Sequence, residues 1–145
     1  FSFQGYRRAD GAVGTRNYLA LVATVNCSAT VIRRAAEEIR IEGALEPYPN
    51  VDGVVAFAHG TGCGMADSGP GWDALQRVLT GHAGHPNVGA ALFVGLGCEV
   101  MQIARMKQEL GLRLREQPGD KPKTDCRIAR AYVEGIDKVD EPEKV

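Results

Sequence analysis

The stretch VGAALFVGLGCE (88–99) is an apolar run that ends in glycines, a cysteine and a glutamate. Two earlier stretches have the same form, NYLALVATVNCS (17–28) and VDGVVAFAHGTGCG (51–64). None of the three alternates strictly between apolar and polar residues, which indicates strands covered on both faces, as in a parallel sheet. A helical pattern follows each stretch, so we expect three βα units in succession.

The expected helices each carry one apolar face. The first follows Ser28, a candidate N-cap, and the third runs over 100–111 and ends at Gly111 as a C-cap. The apolar stripes of the first two helices consist of Val31, Ile32, Ala35, Ala36 and Ile39, and of Trp72, Leu75, Val78 and Leu79.

The alternation of strands and helices predicts an α/β fold, a three-layer Rossmann-like parallel sheet of three to four strands flanked by helices. A short fourth strand is expected within 112–117 and a last helix within 125–136. Residues 1–16 are interpreted as a glycine-rich arm, 17–136 as the α/β domain and 137–145 as a charged tail. We expect this domain to be a fragment of a longer protein.

Composition argues against several kinds of partner. A formal net charge of −1, with charges scattered along the chain, does not favour nucleic acid or a membrane surface. The longest apolar stretch, 88–98, is far shorter than the roughly 20 residues of a membrane-spanning helix. Four cysteines spaced too widely for a disulfide scaffold indicate reduced thiols, and we expect a cytoplasmic protein.

Three of the cysteines follow the βα period. Cys27, Cys63 and Cys98 are separated by 36 and 35 residues, and all strands of a parallel sheet end on the side where α/β folds bind ligands. Each cysteine is also expected near a helix start, where free amides and the helix dipole stabilise a thiolate. A single metal ion, an iron–sulfur cluster and three small core residues all remain open interpretations. Cys126 lies outside the period and is interpreted as structural.

Further candidates cluster around the cysteines. His59 ends the second strand four residues before Cys63, and is a candidate general base, metal ligand or core histidine. Gln102, one helical turn beyond Cys98, is placed to face the same crevice. Glu99 suits the positive end of a helix as well as a functional site.

Polar residues beside the first strand add a possible anion site. Asn26 and Ser28 flank Cys27 and either donate to a bound anion or cap the helix. Arg16 precedes the strand, and its guanidinium suits a carboxylate or phosphate. The glycines near the cysteines match neither G-x-G-x-x-G nor a P-loop, which argues against nucleotide binding.

Three blocks of the sequence resemble the altronate/galactarate dehydratase family of sugar-acid hydro-lyases. They are 5–31, 48–64 and 85–102, and they contain VGTRN, TVNCSAT, HGTGCG and GLGCE. The resemblance covers about 3–110 and departs at 117–136, where the family usually continues through a Gly-Gly-Thr block. Full-length members are several times longer, so the chain resembles one internal domain.

The resemblance implies a function. Members of the family are typically iron-dependent and dehydrate aldonic or aldaric acids to 2-keto-3-deoxy products, and a related branch eliminates sulfite from sulfolactate. It implies a sugar acid as substrate, iron as Fe²⁺ or an iron–sulfur cluster, and the remaining domains of the full-length enzyme as partners, with a homo-oligomer as a further option. The residues hypothesised to act are Cys27, Cys63 and Cys98 on the metal, His59, Arg16, Glu99 and Gln102 in catalysis, and Arg16, Asn17, Asn26 and Ser28 on the substrate.

Two alternatives are kept beside the dehydratase hypothesis. The domain is either a non-catalytic module that binds a sugar acid or a metal inside a larger enzyme, or a subunit of a sulfolactate sulfo-lyase. A binding module and a catalytic domain have the same strand-end pattern, so the sequence does not separate them.

Overall fold

The computed structural model describes residues 2–110, 114–116, 129–133 and 143–144. The strands are β1 (Gln4–Arg7), β2 (Val13–Gly14), β3 (Tyr18–Ala23), β4 (Gly53–Phe57), β5 (Val88–Gly95), β6 (Leu114–Glu116), β7 (Ala129–Val133) and β8 (Glu143–Lys144). The helices are α1 (Ala29–Ile41), α2 (Pro70–Ala83) and α3 (Ile103–Leu110), and a 3-10 turn, Asn26–Ser28, precedes α1.

The main sheet has the order β4-β3-β5-β7-β6. The apolar strand β3 lies between β4 and β5 and pairs with both in parallel. Strand β7 pairs antiparallel with β5, and β6 pairs antiparallel with β7. The predicted α/β fold with a parallel sheet of three strands is therefore confirmed.

Helices cover both faces of the parallel strands. Successive side chains of a strand point to opposite faces, so Leu21 of β3 packs with Ile32 and Ala36 of α1. On the other face, Val22 packs in a cluster with residues of α2 and α3, including Trp72. The resulting order of layers is helix, sheet, helix, as predicted.

The predicted apolar stripes are confirmed except for one residue in each of the first two helices. Val78 of α2 is 50% exposed and Val31 of α1 is 39% exposed, although both were expected to face the core. Val78 lies about 120° around the helix from Trp72, outside the stripe that Leu75 and Leu79 continue. The sequence pattern overestimated the width of the buried face.

Helix α3 begins later than predicted. It starts at Ile103 rather than at residue 100, because residues 96–102 form an irregular loop after β5. Gln102 is therefore not one helical turn beyond Cys98 but precedes the helix. The expected C-cap, Gly111, lies outside the described residues.

The C-terminal expectations have mixed outcomes. The short strand expected within 112–117 is present as β6, although it is antiparallel. The helix expected over 125–136 is wrong at Ala129–Val133, which form β7 against β5. Of the tail 137–145, Glu143–Lys144 form β8 and pair with β1 of the arm, which also pairs with β2. Cys126 lies outside the described residues.

No helix in the described part of the chain is long and apolar enough to span a bilayer.

Candidate functional site at the ends of the parallel strands

The three cysteines lie at one edge of the sheet. Cys27 follows β3, Cys63 follows β4 and Cys98 follows β5. All three are exposed and none is in a disulfide. We call the loops that carry them, residues 24–28, 58–65 and 96–102, the cysteine edge. The parallel pairing of β4, β3 and β5 therefore places all three cysteines at the same edge of the sheet.

The loops after β3 and β4 are joined directly. The amide of Asn26 donates to the carbonyl oxygen of Thr61 at 2.8 Å. Gly62, with φ +98°, lies so close to β3 that a Cβ atom there would be 2.8 Å from the Thr24 carbonyl oxygen. Only glycine permits this approach and this backbone conformation, so the loop that carries Cys63 lies directly beside the loop that carries Cys27.

The surroundings of Cys27 disfavour the thiolate form of its side chain. Although Cys27 is exposed, local desolvation raises the pKa of its thiol, and the charge and hydrogen bonding of the Cys63 thiol raise this pKa further, with a smaller contribution from Glu99. The thiol also lies 3.5 Å from the Asn26 Oδ1. The raised pKa runs against the expectation that a helix start stabilises a thiolate at Cys27, because desolvation, the largest cause, and the charges of Cys63 and Glu99 disfavour the charged form.

The helix starts are also more distant than expected from two of the cysteines. Cys27 lies in the 3-10 turn directly before α1, but α2 begins at Pro70, well after Cys63. Helix α3 likewise begins only after the loop that carries Cys98. The effect of a helix dipole is confined to the first turn, so it does not act on these two thiols.

Glu99 is buried and holds the loop after β5. It is 4% exposed, and its Oε2 accepts hydrogen bonds from the amides of Leu96 at 3.0 Å and Gly97 at 2.7 Å. Its Oε1 accepts from the Thr24 hydroxyl at 3.1 Å. The carboxylate therefore joins the loop of Cys98 to the end of β3, next to Cys27.

His59 also bridges two loops. Its Nε2 lies 2.9 Å from the Ala23 carbonyl oxygen, and its Nδ1 lies 3.3 Å from the Thr61 amide. A carbonyl oxygen only accepts, so the proton is assigned to Nε2 and the lone pair to Nδ1. The ring is thus held in one tautomer, with its basic nitrogen occupied only by a long hydrogen bond.

Of the polar candidates beside the cysteines, two are exposed to solvent and one is buried. Asn26 and Gln102 are exposed at the cysteine edge, and the Gln102 amide reaches the Gly97 carbonyl oxygen at 3.4 Å. Ser28 is fully buried at the N-cap position of α1 and makes no side-chain cap. Its hydroxyl instead lies 2.8 Å from the Val25 carbonyl oxygen and 2.9 Å from that of Val94. Ser28 is therefore structural, and a substrate does not reach it.

Arg16 and Asn17 lie at the opposite edge of the sheet. They precede β3, whereas the cysteines follow the parallel strands, and a six-residue strand is about 20 Å long. The Arg16 side chain is exposed and donates to the Thr15 carbonyl oxygen at 3.1 Å. The structure does not bring these two residues to the cysteines, and the predicted grouping of all candidates in one crevice does not hold within this chain.

Asn17 has a structural environment. It is 3% exposed, its side-chain amide donates to the Asn50 carbonyl oxygen at 2.7 Å, and its Oδ1 accepts from Arg8 at 2.9 Å. Its backbone amide donates to Asp52 at 2.5 Å. These bonds connect the arm to the start of β3 and to the turn before β4, and they leave Asn17 no exposed polar group for a substrate.

The cysteine edge carries side chains that bind metals, but in the described residues they do not surround a single point. Among the residues that the structure describes, no three His, Cys, Asp or Glu side chains converge closely enough to hold one ion. A single tetrahedral ion requires sulfur atoms within about 4 Å of each other, whereas strands are about 4.8 Å apart. Exposed thiols are of a kind that binds iron, and the choice between a single ion and a cluster stays open.

Sequence reasoning missed Thr24, which is fully buried and bonds to Glu99. A signal existed, since Thr24 is the one polar residue in the apolar run 18–25. Arg8 has a structural role that the sequence did not specify, because it donates to the Pro86 carbonyl oxygen at 2.8 Å and to Asn17.

The fold and the site define an α/β domain with a cysteine after each of three parallel strands. Over residues 5–131 the chain matches the family described as D-galactarate dehydratase/Altronate hydrolase, second domain. The chain belongs to this family.

Individual relatives agree with the family. Altronate dehydratase of Bacillus subtilis (strain 168) is 34% identical over 110 residues, which are 75% of this chain and 21% of that protein. Altronate dehydratase of Escherichia coli (strain K12) is 37% identical over 108 residues, 74% of this chain and 21% of that protein. Galactarate dehydratase (L-threo-forming) of the same organism is 41% identical over 107 residues, 73% of this chain and 20% of that protein.

The matched region thus spans about a fifth of the length of these curated relatives. No solved structure matches the chain.

Proposed function

We propose that this chain is the cysteine-bearing domain of an iron-dependent hydro-lyase that dehydrates a sugar acid of the altronate or galactarate type to a 2-keto-3-deoxy acid. The observation that carries the proposal is that three exposed cysteines follow three adjacent parallel strands, and so lie at one edge of the sheet, in a chain of this family. The names of the relatives support the loss of water rather than sulfite.

Cys27, Cys63 and Cys98 are the proposed iron ligands. Thiolates are strong ligands for iron, and a bound cation would offset the desolvation and the neighbouring charges that raise the pKa of the Cys27 thiol. When bound, iron would supply a Lewis acid for the carboxylate and for the departing hydroxyl of the substrate.

His59 is the proposed proton carrier. Dehydration removes a weakly acidic proton beside a carboxylate, and a positioned base with a pKa near neutrality suits that step. The bond from Nε2 to the Ala23 carbonyl oxygen fixes the ring. Nδ1 is therefore the nitrogen that accepts the substrate proton, once its long hydrogen bond from the Thr61 amide has broken. Asn26 and Gln102, both exposed at the same edge, are the side chains proposed to contact the substrate hydroxyls.

Neither Glu99 nor Arg16 is proposed to contact the substrate at the cysteine edge. Glu99 is a positioning residue, since both carboxylate oxygens are engaged in holding the loop of Cys98. Arg16 lies about a strand length away, so in this chain it is not a contact for the same small substrate. A carboxylate contact by Arg16 would require a surface from another part of a longer protein or from a second copy.

The test uses the longer protein that carries this domain, purified without oxygen. Single substitutions Cys27→Ser, Cys63→Ser and Cys98→Ser are expected to lower bound iron and to reduce dehydration of altronate or galactarate at least tenfold. His59→Gln is expected to keep the iron and lose the activity. Cys126→Ser, which removes one thiol but leaves the three proposed ligands intact, is the control and should retain both.

Wild-type iron and wild-type activity in all three edge variants would refute the proposal. The alternative is a binding module without catalysis, which would carry the same three strand-end cysteines. It predicts that the cysteine variants lose iron or substrate binding while the His59→Gln variant keeps full activity.

A further inference from the structure

The loops of Cys63 and Cys98 are the outer two of the three loops at the cysteine edge. The loop after β3 lies between them and is joined to each, to one through the Asn26 amide and to the other through Glu99. The outer loops follow strands that are not neighbours, since β3 separates β4 from β5. Sheet pairing therefore leaves them two strand spacings apart, about 9.6 Å.

Arg105 of α3 connects the outer two loops across this gap. Its Nη1 donates to the Asp67 carbonyl oxygen at 2.8 Å. Asp67 lies four residues after Cys63, in the segment without helix or strand that leads to α2, and Arg105 lies seven residues after Cys98. The hydrogen bond thus ties the continuation of one loop to the helix that follows the other.

Trp72 holds the Arg105 side chain in position. The guanidinium carbon lies 3.8 Å from the centroid of the Trp72 ring, within the range of a cation–π interaction. Trp72, at the start of α2, is 4% exposed and belongs to the same core cluster as Met101 and Met106. The ring is therefore a rigid support, and the guanidinium on it is held at a fixed place between α2 and α3.

We propose that Arg105 is a positioning residue that sets the separation between Cys63 and Cys98. Its bond to the Asp67 carbonyl oxygen holds the segment after Cys63 against α3, and its contact with Trp72 fixes the donor of that bond. The inference rests on the proposed function, in which the cysteines hold iron, and adds to it a residue outside the cysteine edge.

A change at Arg105 should reach the metal site without removing a ligand. Substitution of residues that orient metal ligands lowers metal affinity by roughly ten- to a hundredfold, and we expect about tenfold weaker iron binding in Arg105→Met. Methionine keeps an apolar chain over Trp72 but removes the charge and the donor. Arg105→Lys keeps a cation and a single N–H donor without the planar fork, so its iron affinity should lie between those of the wild type and Arg105→Met.

Nitroxide labels on the exposed cysteines measure the separation without metal or substrate. The longer protein that carries this domain is labelled at Cys63 and Cys98, with every other cysteine replaced by serine. Dipolar broadening of its continuous-wave electron paramagnetic resonance spectrum in frozen solution reports the distance between the labels. We expect Arg105→Met to weaken this broadening, because the labels move apart or spread over more distances, and Arg105→Lys to give an intermediate spectrum.

Two controls separate positioning from a general loss of structure. Labels on Cys27 and Cys63 lie on loops joined by a backbone hydrogen bond, so their broadening should be the same in Arg105→Met as in the wild type. Arg77→Met makes the same substitution at an exposed arginine of α2 and should change neither pair of labels.

Four results would overturn the inference. They are unchanged broadening for the outer pair of labels in Arg105→Met, an equal change in both pairs, an equal effect of Arg77→Met, and an Arg105→Lys spectrum identical to that of Arg105→Met. An unfolded Arg105→Met protein would alter both pairs and so counts against the inference as well.

Failure of this inference and failure of the proposed function are read by different measurements. The label distances come from metal-free protein, whereas the dehydratase proposal is read by iron content and activity. A separation that depends on Arg105 in a protein that binds no iron would support the positioning role and refute the iron site. Iron-dependent activity with a separation independent of Arg105 would do the reverse.

Discussion

Glu99 shows how a single buried side chain organises the cysteine edge. Its carboxylate receives the amides of Leu96 and Gly97 and the hydroxyl of Thr24, so the loop after β5 closes on the end of β3. A buried carboxylate is tolerated only when its oxygens are paired, and here both are. Its place next to Cys98 in sequence suggests catalysis, but its contacts define a positioning role.

Two substitutions of Glu99 should have unequal effects on stability. Glu99→Ala leaves three donors without their acceptor, and we expect the free energy of unfolding to fall by about 2 kcal/mol. Glu99→Gln can keep its oxygen on the two amides and donate its NH₂ to the Thr24 hydroxyl, so we expect a loss below about 1 kcal/mol. Urea denaturation followed by tryptophan fluorescence measures both, and equal losses would contradict the positioning role.

At the scale of the elements, the loops after the strands depend on close backbone contacts. Gly95, the last residue of β5, has the Glu99 carboxylate directly over the position a Cβ atom would occupy, and the Thr24 hydroxyl 2.6 Å from that position. No side chain fits there without displacing Glu99. The glycine is therefore required by the packing of the loop and not by its backbone angles.

Gly95→Ala should lower stability, whereas Gly81→Ala should raise it. We expect Gly95→Ala to reduce the free energy of unfolding by about 1 to 3 kcal/mol through overpacking. Gly81 lies in α2 with no atom within 4 Å of its Cβ position, so Gly81→Ala should increase stability by about 0.5 to 1 kcal/mol. Thermal denaturation of the two variants in parallel provides the comparison. An unchanged stability of Gly95→Ala would contradict the close contact between Gly95 and Glu99.

At the scale of the whole molecule, the sheet separates two groups of family residues. The VGTRN segment (13–17) lies at the amino ends of the parallel strands, and the cysteines lie at the carboxyl ends. Arg8 and Asn17 fix the first group with buried hydrogen bonds, and Glu99 and His59 fix the second. A single small substrate does not touch both ends in one copy of the chain.

This separation can be measured with spin labels. A chain with Arg16→Cys that keeps Cys27 and has its other cysteines replaced by serine carries one label at each edge. We expect a distance of about 20 Å or more by pulsed electron paramagnetic resonance. The control pair, Cys27 and Cys98 at the same edge, should be distinctly shorter, and equal distances for the two pairs would refute the placement of Arg16.

Much of the fold was predictable because it depends on local pattern. The apolar runs 17–25, 51–59 and 88–96 identify the parallel strands, and their spacing identifies the cysteine edge. The helix expected in 125–136 failed at Ala129–Val133 because pairing with β5 is a long-range interaction that local pattern does not report.

The sequence by itself determined the βα order, the three strand-end cysteines and the family resemblance, since each of these is written in composition and spacing along the chain. Only the tertiary structure decided which candidates meet. It placed Arg16 and Asn17 at the far edge, turned Ser28 and Glu99 inward, and joined the loop of Cys63 to the loop of Cys27. The physical reason is that burial and hydrogen-bond partners depend on residues distant in sequence, such as Thr24 with Glu99.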